Sequence, residues 1–194
     1  IDTRLIKIRL VKQMTRNGKK PTFTTMVVAG NKAGGVGYGL GRDSIAMDSI
    51  VKAGKIAENN MEFFERFQGR TIFHAVNVKF KATKLMAKPA PASKNPPTSY
   101  IYLCTLDTGR RAHHAIQEVC RVMGIDDISC KVYGSTNSLT VVEAFMEVLR
   151  RQKTPEQVAQ DSGMKVVDVL KVYEHGMYSA NRQTIDRVST YVPQ

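Results

Sequence analysis

With 194 residues, 42% of them hydrophobic, the chain can bury the core of one medium domain or two small ones. No run of about twenty apolar residues occurs, which predicts no membrane span; three cysteines without close spacing, Cys104, Cys120 and Cys130, predict buried thiols in a reducing compartment and not a disulfide framework. The 29 Lys and Arg against 17 Asp and Glu leave a formal charge of +12, the footprint of a nucleic-acid binder. A merely soluble surface could carry as much, but Arg4, Lys7, Arg9, Lys12, Arg16, Lys19 and Lys20 face Asp2 alone in the first twenty residues.

In chain order, Leu5 to Lys12 alternates as a strand, with Ile6, Ile8 and Leu10 opposing Lys7, Arg9 and Val11. Arg16-Asn17-Gly18-Lys19-Lys20-Pro21 is predicted to be a cationic turn, in which Asn-Gly tolerates positive φ and the proline blocks regular continuation. Thr22 to Ala29 is rich in β-branched residues and predicts a second strand, turned by Gly30 to Gly34 into a third. Asp43 or Ser44 is expected to cap a helix whose stripe is Ala46, Ile50, Ala53, Ala57, Met61 and Phe64.

That third strand carries Gly35, Gly37, Gly39 and Gly41 between Val36, Tyr38 and Leu40, so one of its faces is bare backbone. Two readings are open. The ridge either packs tightly against a helix or admits a large, flat anionic partner such as an RNA backbone. The surrounding cations favour the second. Neither nucleotide-binding loop fits, because a Walker loop requires Gly-Lys-Ser/Thr where Gly41 is followed by Arg42 and Asp43. The dinucleotide fingerprint likewise requires a third glycine where Arg42 or Ser44 stands.

In the second half, Ile72, Val76, Val78 and Phe80 alternate with Asn77, Lys79 and Lys81, predicting a strand with one apolar and one partly basic face. Lys84 to Ser99, with Pro89, Pro91, Pro96 and Pro97 and no acid, is expected to be an extended loop, either RNA-contacting or solvated; Tyr100 to Leu106 predicts a further strand. Ala112, Ala115, Ile116, Val119, Val122 and Met123 form a helical stripe stopped by Gly124, and Ile128, Cys130 and Val132 a short strand. Gly134 to Asn137 supplies a turn and cap for a helix through Phe145, Leu149 and Arg150. Thr154-Pro155-Glu156-Gln157 is a capping box that starts one more helix. Adjacent His113 and His114 would point about 100° apart on a helix, which disfavours a shared metal ion. This order predicts an α+β protein with two distinct domains.

The basic strand, basic loop, strand, Gly-x-Gly-x-Gly strand and helix, followed by Val132 to Asn137 and Thr154 to Ala159 in order and spacing, resemble the family of the fifth small-subunit ribosomal protein over about residues 4–170. Thr71 to His74, Phe80-Lys81 and the run from Arg121 to Asp126 resemble its mitochondrial members. The resemblance implies a double-stranded-RNA-binding-like domain of three strands and a helix over residues 4–68. It implies an α/β sandwich over 69–172 with an inserted loop near 84–99, and an extension over 173–194. The resemblance places Arg16, Asn17, Gly18, Lys19, Lys20, Gly35, Gly37, Gly39, Gly41 and Arg42 in the rRNA-binding set, recognising phosphate, sugar hydroxyl and shape more than base identity, and the flanking cations Arg9, Lys12 and Lys32 are expected to join them.

The resemblance further implies a structural, non-catalytic role without cofactor or metal, near messenger entry and the decoding region, supporting accuracy and assembly. The implied partners are small-subunit rRNA, nearby messenger RNA and the neighbours numbered three, four and eight; the implied location is the mitochondrial matrix. The absence of an initial methionine and of a presequence leaves a removed targeting segment as an expectation. A glycine pair and an arginine on the helix facing the fourth protein are replaced by His113, His114 and Gln117, which favours a remodelled protein contact over surface or core-edge positions. The rival readings are a free-standing double-stranded-RNA-binding regulator and a phosphate-handling enzyme.

Overall fold

The computed structural model describes residues 1–90 and 109–166, and the chain divides into two compact units, 1–152 and 153–194. The first unit begins with β1 (Asp2–Thr15), β2 (Gly18–Gly30), β3 (Gly35–Asp43) and α1 (Ala46–Asn59), then the two-residue β4 (Glu62–Phe63). These strands form an antiparallel sheet in the order β1-β2-β3-β4. The three strands and helix expected from the sequence are present, and among the described residues β4 pairs only with Gly35 and Val36.

Several local expectations are corrected. Pro21 does not end the second strand but lies within β2, opposite Lys12. Pairing with β3 begins only at Phe23, so the ring stands where β2 has a single neighbour, and a proline is tolerated at such a margin. The register of β1 slips between Leu5 and Lys7. This bulge separates Ile6, packed against the core, from Ile8 and Leu10, which are exposed. Neither Asp43 nor Ser44 caps α1; Ile45 is its N-cap, and the Asp43 carboxylate accepts from the Ser44 N–H and pairs with Lys52. The helix ends at Asn59, leaving Met61 and Phe64 beyond it, and its buried stripe is Ser49, Ala53 and Ala57.

The same unit continues through β5 (Val76–Phe80), β6 (Thr83–Pro89), β7 (Arg110–Arg111), α2 (His114–Met123), β8 (Ile128–Gly134) and α3 (Ser138–Arg150). The strands form a second sheet in the order β5-β6-β8-β7, antiparallel except for β7 beside β8. Lys84 to Pro89 is therefore strand and not loop. It lies inside the sheet, with Pro89 closing β6 opposite Ile128. The prolines predict a break, but the first of them falls at the last strand residue. The rest of the expected loop from 91, and the strand expected from Tyr100 to Leu106, lie outside the described residues.

Helix α2 ends where its periodicity ends, because Gly124 adopts the left-handed conformation (φ +85°) and donates to the Cys120 carbonyl. The turn between β2 and β3 takes up other helix-end carbonyls. Lys32 N donates to Val122 O at 2.8 Å and Gly34 N to Met123 O at 3.1 Å. Met26, Val28 and Val36 of the first sheet share one apolar cluster with Ile72, Val76, Leu85 and buried residues of α2 and α3.

In the second unit, α4 (Pro155–Ser162) starts with both halves of the expected capping box. Thr154 Oγ1 accepts from Gln157 N at 3.3 Å, and Gln157 Oε1 accepts from Thr154 N at 3.1 Å. Among the described residues no helix is long and apolar enough to cross a membrane.

Candidate nucleic-acid interface

The first candidate surface is the long β1–β2 hairpin. Thr15 and Gly18 are paired across a two-residue turn, and Thr15 Oγ1 donates to Gly18 O at 2.8 Å. The positive φ that this turn demands falls on Gly18 (+107°), while Asn17 does not adopt it. Arg16, Asn17, Gly18, Lys19 and Lys20 are all exposed, and so is Lys12 further down the same arm. Because β3 accompanies β2 only from Phe23 onward, the tip projects as a two-stranded arm carrying these cations.

Directly opposed residues in an antiparallel sheet share a face, so Arg9, Thr24 and Arg42 form one row across β1, β2 and β3. Lys7, Met26 and Leu40 form the next row on the same face. Arg9 and Arg42, expected as contacts from the sequence, are thus brought together. Lys7 was missed, although its alternation with Arg9 along the strand carried the signal.

The glycine ridge is corrected. Gly35, Gly37, Gly39 and Gly41 are buried, and the last three lie against α1. A methyl group on Gly37 would stand 2.3 Å from Ala57 O; on Gly39, 2.2 Å from Ala53 O; on Gly41, 2.1 Å from Ser49 O. The bare face is the seat of a helix whose own contact residues are small, and Thr25 Oγ1 and Ser49 Oγ, 2.5 Å apart, close the buried end of the contact. No open face of backbone remains there for a phosphate chain. The signal was the i, i+4, i+8 spacing of Ser49, Ala53 and Ala57, complementary to glycines two residues apart.

Lys32 also falls away from the group. It sits in the β2–β3 turn with φ +57°, its side chain 3.6 Å from Asp2, at the opposite end of β2 from the hairpin tip. At about 3.3 Å per strand residue, the two ends are on the order of 40 Å apart.

His113 and His114 do not stand apart on a helix as expected. His113 is the N-cap of α2, its Nδ1 accepting from Ala115 N at 3.3 Å, and the two rings lie 4.4 Å apart between centroids. Burial, then the neighbouring His114, hold the His113 imidazole below its usual value. Gln117 is engaged within the chain, its amide donating to Arg110 O at 3.2 Å and Ala112 O at 3.0 Å. Only His114 of the three is exposed. No group of three or more potential ligands is placed to hold a metal among the described residues. Cys120 and Cys130 are buried thiols; burial pushes Cys130 up to about 12 and Cys120 well above its usual value, so neither is a nucleophile at neutral pH.

Known proteins match both halves of this arrangement. The model of ribosomal protein S5, N-terminal domain, matches residues 1–65, and that of ribosomal protein S5, C-terminal domain, matches residues 105–162. Small ribosomal subunit protein uS5 of Anaplasma phagocytophilum is 30% identical over 166 residues, covering 86% of this chain and 88% of that protein.

The chain belongs to the ribosomal protein S5 family.

Mitochondrial-type relatives match as well. Small ribosomal subunit protein uS5m of Mus musculus is 32% identical over 168 residues, 86% of this chain and 36% of that protein. The uS5m of Schizosaccharomyces pombe is 33% identical over 170 residues, 87% of this chain and 40% of that protein. The chain thus spans about two fifths or less of these longer S5 relatives. The S5 family is one of structural ribosomal proteins and not an enzyme class.

Proposed function

We propose that this chain is a structural, non-catalytic constituent of a small ribosomal subunit of mitochondrial type, working in the matrix. The observation that carries this reading is the match of both S5 domain models in a chain that presents exposed Arg16, Lys19 and Lys20 on a projecting hairpin. The arm formed by Arg16, Asn17, Gly18, Lys19 and Lys20 would enter an rRNA groove, with Lys12, Arg9 and Arg42 steadying the flank through phosphate and sugar contacts. Residues 4–68 would form the rRNA-binding module, 69–172 the second module and 173–194 an extension. The position would be near messenger entry and the decoding region, supporting accuracy and assembly, beside the neighbours numbered three, four and eight. His114 would mark the remodelled face toward the fourth.

Sedimentation tests the assignment. The chain is expected to travel with small subunits at moderate salt, and the Arg16→Ala, Lys19→Ala, Lys20→Ala triple variant is expected to be depleted from them. A chain that stays free at the top of the gradient would be a free-standing double-stranded-RNA-binding regulator instead.

A further inference from the structure

The outer face of the second sheet is a second basic surface, remote in sequence from the hairpin. The register places its residues in three rows. Lys79 of β5, Lys84 of β6 and Tyr133 of β8 stand side by side; Asn77, Met86 and Lys131 form the next row; Lys88, Ser129 and Arg111 of β7 form the third. The alternate positions Val76, Val78, Leu85, Ala87, Ile128 and Cys130 are buried on the inner side. Among the described residues, five cations and no carboxylate occupy the outer face.

All five cations are exposed, and Tyr133 shows 52% of its surface. Among the described residues none of the five is held in an ion pair. Their neighbours Lys81 and Arg110, by contrast, are neutralised by Glu143 and Asp126. Same-face residues recur about every 6.6 Å along a strand and strands lie about 4.8 Å apart, so the cations form a two-dimensional array and not a line. An exposed aromatic amid such an array offers a stacking partner for an unpaired base while the lysines neutralise the backbone. The bases of a duplex are stacked on one another and have no face to give to Tyr133.

We propose that this face binds single-stranded RNA, with Tyr133 stacking on a base and Lys79, Lys84 and Lys131 pairing with phosphates. The inference goes beyond the hairpin contact and does not require it.

The test uses the full chain carrying the hairpin triple variant together with Arg9→Ala, Lys12→Ala and Arg42→Ala, so that the first surface is silent, and a fluorescent single-stranded ten-nucleotide RNA read by anisotropy across salt concentrations. Binding is expected to persist in that background. Adding Lys84→Ala and Lys131→Ala should lower the slope of log K against log salt by about 1.4, near 0.7 per lost phosphate contact on a single strand. Tyr133→Ala should weaken binding about fivefold or more, and Tyr133→Phe, which keeps the ring, should stay within about twofold. Circular dichroism confirms that each variant is folded. Equal affinity in all four proteins, stronger binding of a duplex of the same length, or equal binding to anionic lipid vesicles would each overturn the assignment.

Discussion

The glycine-bearing face of the first sheet and the lysine-bearing face of the second are built on the same two-residue alternation and have opposite fates. Gly37, Gly39 and Gly41 leave a trough only one atom deep, and Ser49, Ala53 and Ala57 of α1 fill it with helix backbone. Lys79, Lys84, Lys88 and Lys131 present side chains too long and too charged to lie beneath a helix, and they stay in water. Alternation identifies a face; the size of the side chains on the opposing element decides whether that face is covered. Here the run of bare backbone marks the seat of a closely packed helix.

The largest expected effect tests the covered face. Gly39→Ala puts a methyl 2.2 Å from Ala53 O, a clash with backbone that cannot be relieved by a side-chain rotation. It should cost about 3 kcal/mol in urea unfolding. A variant as stable as the parent would mean that α1 does not sit on the ridge. Gly54→Ala, on the same helix with nothing within 4 Å of the new methyl, should instead stabilise by about 1 kcal/mol. Opposite signs for two glycines sharpen the contrast between a glycine needed for close approach and one that is not.

Smaller effects probe what borders each face. Glu62 of β4, beside the glycine strand, pairs with Arg150 of α3, and that guanidinium holds the Glu62 carboxyl below its ordinary value of 4.5. A carboxyl lowered on folding contributes stability that is complete above the unfolded value and is lost as pH falls through the folded one. Both groups are more than a third exposed, so after solvent screening the pair contributes at most about 1 kcal/mol. The difference between the parent and Glu62→Gln in urea melts should be present at pH 7 and close below about pH 4.5, the ordinary value; a gap unchanged at pH 3 would refute the pairing. Lys84→Ala and Lys131→Ala should each alter stability by no more than about 0.5 kcal/mol, since these side chains are exposed. A larger loss would mean that the outer face is packed and not free to bind.

Much of the fold was legible. The stripe of α2 and its stop at Gly124, the capping box of α4 and the order of the first three strands all follow from local chemistry that tertiary packing does not override. What failed depended on distant partners. The ridge needed the small residues of α1, and β6 needed β5 and β8 on its flanks to outweigh the prolines that follow it. Of the candidate surface, the exposure of the hairpin cations was readable because a charged turn at the end of two strands stays in water. Lys32 stands apart from the hairpin because a residue near in sequence can lie at the far end of a long strand. The basic face of the second sheet was half visible in Asn77 and Lys79, while Lys81 falls in the turn after β5 and pairs with Glu143. Mistaking β6 for a loop hid the rows that join Lys79 to Lys84 and Tyr133.

The most direct measurement is the salt dependence of binding to a small-subunit rRNA fragment, comparing the parent chain with the Arg16→Ala, Lys19→Ala, Lys20→Ala variant. If the projecting arm and not bare backbone meets the RNA, the slope of log K against log salt should fall by about 2 to 3, close to 0.9 for each lost contact to a duplex phosphate. An unchanged slope with a folded variant would contradict the hairpin's role outright.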